Sequence, residues 1–120
     1  MRAKLERCFQ VSGAAAEEVA RAREPYRERC LELLEGFDLL LTPTLRFVAP
    51  RVGEITNENR DDMTGFTYPF NVLGWPALAL PCGAAEEGLP ASAQLVGRAS
   101  DDALVLAVGA SLERGTPGLS

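Results

Sequence analysis

Apolar positions along the chain change period several times, and each change marks an element. Ala14 to Arg23 consists of good helix formers. Ser12 stands before them, where its hydroxyl can accept from the N–H groups of the first turn, and Glu17 and Glu18 lie near the positive end. A helix is therefore expected from about Gly13. Pro25 lacks the N–H of a helix interior, so it kinks this helix or opens a second one through Tyr26 to Leu34, with Gly36 as the stop. Tyr26, Cys30, Leu33, Leu34 and Phe37 recur at three- and four-residue spacing opposite an Arg/Glu face, which predicts core packing.

Beyond Gly36 the pattern becomes continuous. Phe37 to Thr44, with Leu39, Leu40 and Leu41 in succession before Pro43, reads as a strand buried on both faces. Residues 45–63 carry Pro50, Gly53, Asn57 and Asn59 without a sustained period and predict a long loop, a kind that tends to serve a function or cover something. Thr64 to Pro76 predicts a short helix or turn bounded by Gly74 and Pro76. Ala77 to Pro81 is a second strand, and Ala91 to Val96 a third, joined by a polar tip at Glu86, Glu87 and Gly88 in a hairpin. Asp101 and Asp102 open a last helix through about Arg114, with Leu104, Val105, Val108 and Leu112 on one face, and Gly115 to Ser120 is expected to fray. The expected class is α/β: about three strands with flanking helices in one domain. Residues 1–36 form its helical segment, 37–114 its strands, loops and final helix, and 115–120 its tail. So small a sheet around a triple-leucine strand leaves apolar area uncovered, so the chain reads as the end of something larger that self-associates or pairs with a complementing segment.

Charge and composition then restrict the chemistry. Of 120 residues, 12 are basic and 17 acidic, a net charge of −5, which opposes phosphate-driven binding to nucleic acid. Residues 1–35 hold seven of each sign, a salt-bridge-laced helical surface, so the negative excess falls on the remainder. No apolar run has membrane-spanning length and the first residues lack an apolar signal core, so a cytoplasmic chain without membrane or nucleic-acid partners is expected. Cys8, Cys30 and Cys82 form neither a disulfide framework nor a zinc motif, and no metal or cofactor is expected. The sequence has no histidine, which excludes Ser-His-Asp and Cys-His catalysis, and no serine stands in a nucleophile elbow.

Five segments carry a family resemblance: Phe37-Asp38-Leu39-Leu40-Leu41-Thr42-Pro43-Thr44, Phe66-Thr67-Tyr68-Pro69-Phe70-Asn71-Val72-Leu73-Gly74-Trp75-Pro76-Ala77, Pro81-Cys82-Gly83, Gly88-Leu89-Pro90 and Gln94-Leu95-Val96-Gly97. In this order and spacing they resemble the C-terminal part of amidase signature enzymes, over residues 12–114. The resemblance implies an α/β/α mixed-sheet fold and hydrolysis of amide C–N bonds through an acyl-enzyme on serine, assisted by a second serine and a lysine. It places those catalytic residues in a Gly/Ser-rich segment that nothing here matches, and Lys4 and Ser12 stand in the wrong context, so no catalytic residue is assigned.

What the resemblance does assign is a wall of the substrate cleft, with Thr67, Asn71 and Trp75 nearest a small amide that binds once the catalytic part is present. Each has a plainer reading: Asn71 satisfies a turn, Trp75 packs as core, and Thr42 and Thr44 finish a strand. Cys82 takes a structural position, and Asp61 with Asp62 reads as a solvated pair rather than acid and base. Members that draw ammonia from glutamine carry an acid three residues before the Thr-x-Pro; here that position is Thr64, which turns the expectation towards a broader amidase, unless a shift brings Asp61 or Asp62 into play. Phe66, Tyr68, Phe70 and Trp75 point to an apolar or aryl-tolerant pocket. The alternative is a non-catalytic module that self-associates or binds a protein partner.

Overall fold

The computed structural model describes residue 6, residues 9–56 and residues 60–115. Lys4, Cys8, Asn57, Asn59 and the expected tail beyond Gly115 lie outside the described residues. Two compact units divide the chain, residues 1–35 and residues 36–120.

The first unit holds helix α1, Gly13–Leu33, which starts where the sequence indicates because the Ser12 hydroxyl accepts from the Ala15 N–H at 3.2 Å. Pro25 neither ends it nor opens a second helix: one 21-residue helix runs through it. Its apolar stripe is only in part the core face expected: Leu34, at its C-cap, is 8% exposed and Cys30 half-buried, but the other members stay open. Tyr26 is 41% exposed and Leu33 71%. Partial burial and a hydrogen bond with Cys30 still hold the Tyr26 phenol above its ordinary range.

The second unit is a three-stranded sheet with two helices. Its strands are β1 (Leu40–Pro43), β2 (Ala77–Ala84) and β3 (Pro90–Val96), with the short helix α2 (Tyr68–Leu73) before β2 and α3 (Asp102–Gly115) after β3. Spatial order is β1-β3-β2 and both pairings are antiparallel, so β3 is the centre and β1 an edge. This corrects the reading of the leucine run as a strand buried on both faces: only Leu40 to Pro43 form the strand, and Leu41 is 62% exposed. An edge strand gains backbone partners on one side only, and apolarity alone did not reveal which strand would be central. The prolines agree with this order, because Pro43 closes one edge strand and Pro81 lies in the other, beside a register shift before Ala84.

Strand β3 is where the core sits. Gln94, Leu95 and Val96 are buried in succession, so both faces are covered at this end, unlike the simple alternation the sequence offered. Leu73, Trp75 and Val105 complete the buried apolar set of this unit. The hairpin turns through a 3₁₀ segment at Glu86–Gly88, with Glu87 and Gly88 in the left-handed region at φ 56° and 74°. Helix α3 begins as expected, with the Asp101 carboxylate accepting from the Arg98 N–H at 3.0 Å and Arg114 in the last turn, where a cation complements the helix dipole. Its inner face is Val105 and Gly109, whereas Leu104 and Leu112 are 39% and 45% exposed. Gly109 lets α3 approach β2 so closely that an added Cβ would run into the Leu78 side chain.

Candidate functional site

The expected long loop leaves β1 at Thr44 and returns at Phe66, broken among the described residues by a 3₁₀ turn at Arg60–Met63. One buried side chain joins its two ends. Gln94, 3% exposed at the middle of the sheet, donates the two hydrogens of Nε2 to the Phe66 carbonyl at 2.7 Å and the Thr42 hydroxyl at 2.9 Å, with the Pro43 carbonyl at 3.4 Å a longer, shared acceptor. Thr42 stands opposite Gln94 in the β1–β3 register, which is why the two side chains meet. Further out, the Arg46 guanidinium lies over the Phe66 ring at 5.3 Å from its centroid and 3.9 Å from an Asp62 carboxylate oxygen, an exposed clasp across the same loop.

From Phe66 the chain passes directly into the three residues the sequence singles out. Thr67 precedes α2; its hydroxyl makes no capping bond and instead donates to the Thr64 carbonyl at 3.3 Å. Asn71 lies on α2 four residues later, exposed, with no side-chain hydrogen bond among the described residues. Trp75 follows the helix and is 7% exposed, its indole N–H sealed from solvent and without a hydrogen-bond partner among the described residues. Gly74 ends α2 at φ 68°; its N–H bonds the Asn71 carbonyl and the Trp75 N–H bonds the Phe70 carbonyl at 3.0 Å, a Schellman motif. The Gly97 N–H then bonds the Pro76 carbonyl, setting this segment against the end of β3.

A separate half-open cleft of about 610 Å³ lies at the other end of the sheet, between residues 45–49 and the hairpin, within the size range of small-molecule sites. Leu41, Pro43, Phe47 and Ala93 give it apolar walls, and Arg46, Glu86, Ser92 and Cys82 supply polar groups. Thr67, Asn71 and Trp75 do not line it. Asp61 and Asp62 are exposed, one carboxylate facing Arg46, while the Asp61 carbonyl takes the Thr64 N–H at 3.2 Å. Cys82 is exposed and Cys30 half-buried, both free thiols. No cluster of three or more His, Cys, Asp or Glu with metal-binding geometry occurs among the described residues, and no described helix is long and apolar enough to cross a membrane.

Gln94 is the residue that sequence reasoning missed as part of the site. Its signal was present, since a long polar side chain in Ala91-Ser92-Ala93-Gln94-Leu95-Val96 stands where a central strand tolerates only a satisfied donor. Its partners lie 52 and 28 residues away, and no periodicity reports contacts of that range.

Comparison with known proteins places this geometry. The chain is 35% identical over 96 residues to the 6-aminohexanoate-cyclic-dimer hydrolase of Paenarthrobacter ureafaciens, covering 68% of this chain and 20% of that protein. It is 39% identical over 89 residues to a glutamyl-tRNA(Gln) amidotransferase subunit of Granulibacter bethesdensis, covering 69% and 17%. A solved structure of 6-aminohexanoate cyclic dimer hydrolase superimposes with a TM-score of 0.80 at 31% identity, covering 95% of this chain and 27% of that one. The corresponding amidotransferase subunit from Thermotoga maritima gives 0.76 at 30% identity, covering 97% and 26%. The chain thus spans about a fifth of the length of these curated relatives. The Amidase family model matches residues 6–106, from α1 through the sheet and into α3, and the chain belongs to the amidase family.

Proposed function

We propose that this chain forms part of the substrate-cleft wall of an amidase-type hydrolase acting on amide C–N bonds, and that hydrolysis requires a serine- and lysine-bearing segment outside this sequence. The observation that carries the reading is the superposition of 95% of the chain on an amide hydrolase. No histidine of this chain is available to activate a hydroxyl, so in this reading the base and the oxyanion donors come with the serine- and lysine-bearing segment. Within the wall, Thr67 precedes α2, Asn71 lies on it and Trp75 follows it in the core. Asn71, exposed and uncommitted, is the residue of the three best placed to meet an amide group, and Phe66, Tyr68 and Phe70 favour an apolar or aryl substituent. Thr64 in place of an acid argues for an amide without a free α-ammonium.

The test is a fluorophosphonate reactive-serine probe together with an assay of a simple aryl amide. The 120-residue chain alone is expected to show neither labelling nor turnover, and addition of a serine-bearing amidase segment to produce both. Labelling of the chain alone would overturn the division of labour.

Exposed apolar groups on an edge and a helix support a second element of this proposal, self-association when no complementing segment is present. Leu41 on β1 is 62% exposed and Leu106 on α3 is 61%. Light scattering is expected to show dimers growing with concentration, and a monomer that persists at millimolar concentration would count against it.

A further inference from the structure

We infer that Gln94 is a positioning residue: its carboxamide clamps the neck of the 44–66 loop and so fixes the segment carrying Thr67 and Asn71 relative to the sheet. The functional meaning of the clamp rests on the cleft-wall reading above; the clamp itself rests on geometry. The three acceptors of Nε2 belong to two chain segments separated by 23 residues in sequence, Thr42 and Pro43 on one side and Phe66 on the other. A loop this long closes its ends only against an entropic cost, and one buried amide holding both ends offsets part of that cost locally. The outer clasp between Arg46, Phe66 and Asp62 is more than half exposed at its charged groups and therefore weak, which leaves the buried clamp as the stronger tie.

The bond to Phe66 has the greatest leverage. Phe66 is followed by Thr67, whose N–H bonds the Thr64 carbonyl at 3.0 Å, and by Tyr68, whose N–H bonds the same carbonyl at 2.8 Å. These amides report the state of the turn that launches α2. On the other side of the neck, the Thr44 N–H bonds the Ser92 carbonyl at 3.0 Å and reports the β1 exit. If Gln94 merely filled space, a methionine of similar length would serve equally well.

The test is segment-resolved hydrogen exchange on the 120-residue chain, comparing wild type with Gln94→Met and with Thr42→Val, which removes one acceptor and leaves the core donor in place. In Gln94→Met the Thr67, Tyr68 and Thr44 amides are expected to exchange about tenfold faster, the size of one lost buried hydrogen bond, while the β2–β3 ladder changes less than about twofold. Thr42→Val is expected to show the same pattern at smaller amplitude, and it decides the matter if Gln94→Met fails to fold. Unchanged neck amides, or a loss spread evenly over the whole sheet, would each overturn the clamp. In the pair reconstituted with a serine-bearing segment, Gln94→Met is expected to raise KM several-fold more than it lowers kcat, because the loop it misplaces binds substrate and holds no reacting group. Absence of amide hydrolysis by the reconstituted wild-type pair would overturn the cleft-wall reading and leave the exchange result to decide the clamp.

Discussion

Replacing Trp75 by alanine is expected to cost ~3–5 kcal/mol in urea unfolding followed by circular dichroism, while replacing it by phenylalanine is expected to change stability by less than about 1 kcal/mol. The alanine variant empties the largest side chain of a small core, in which Leu73, Leu95, Val96 and Val105 are the other buried apolar residues of the unit. The phenylalanine variant also loses volume, yet it removes an indole N–H that is buried without a hydrogen-bond partner among the described residues. An unsatisfied buried donor carries a desolvation penalty of about 1–3 kcal/mol, which opposes the cavity cost. A phenylalanine variant as unstable as the alanine one would mean that the N–H has a partner in solution. Trp75 is the only tryptophan, so both variants are followed by backbone signal rather than fluorescence.

The second large effect is expected at Gly97, where alanine should destabilise by about 2 kcal/mol, more than the same change at Gly109. A Cβ at position 97 would stand 2.8 Å from the Asp101 Cβ and 2.8 Å from the Val105 Cγ2. The first atom is fixed to the backbone that starts α3, and the second belongs to a stiff β-branched side chain that is 2% exposed, so neither can yield without moving the helix. At Gly109 the obstacle is the far end of the Leu78 side chain, which can change rotamer. Alanine also favours a helix interior over glycine by about 1 kcal/mol, so Gly109→Ala recovers part of its packing cost. Thermal melts of the two variants rank them directly, and a Gly109→Ala variant less stable than Gly97→Ala would show that the β2 side of the helix, not its start, is the rigid contact.

Local signals in the sequence reached far into this fold. Ser12 as a helix start, Gly74 and Pro76 as the end of α2, the Glu86–Gly88 hairpin tip and the acids opening α3 are all chemistry of neighbouring residues, and each lies where the residues indicate. Composition alone showed that these 120 residues contribute no histidine, and five ordered segments carried the resemblance to a family that comparison then showed. Spatial order was not legible. Nothing local distinguishes Leu39-Leu40-Leu41 as an edge from Leu95-Val96 as a centre, because both are apolar runs of strand length and the difference lies in how many neighbours each acquires.

The candidate site divides along the same line. Thr67, Asn71 and Trp75 could be named from sequence because they share one motif, but whether each is exposed, committed or sealed depends on what packs over it. Gln94 was visible only as a polar residue in an apolar strand until β1 and the returning loop were brought to its two sides. By itself, then, the sequence determined the elements, their caps and the family, since these depend on residues within a turn or two of each other. Only the tertiary structure decided which strand is central, which glycines are contact points and which amide ties the loop, since these depend on groups that folding brings together from tens of residues apart.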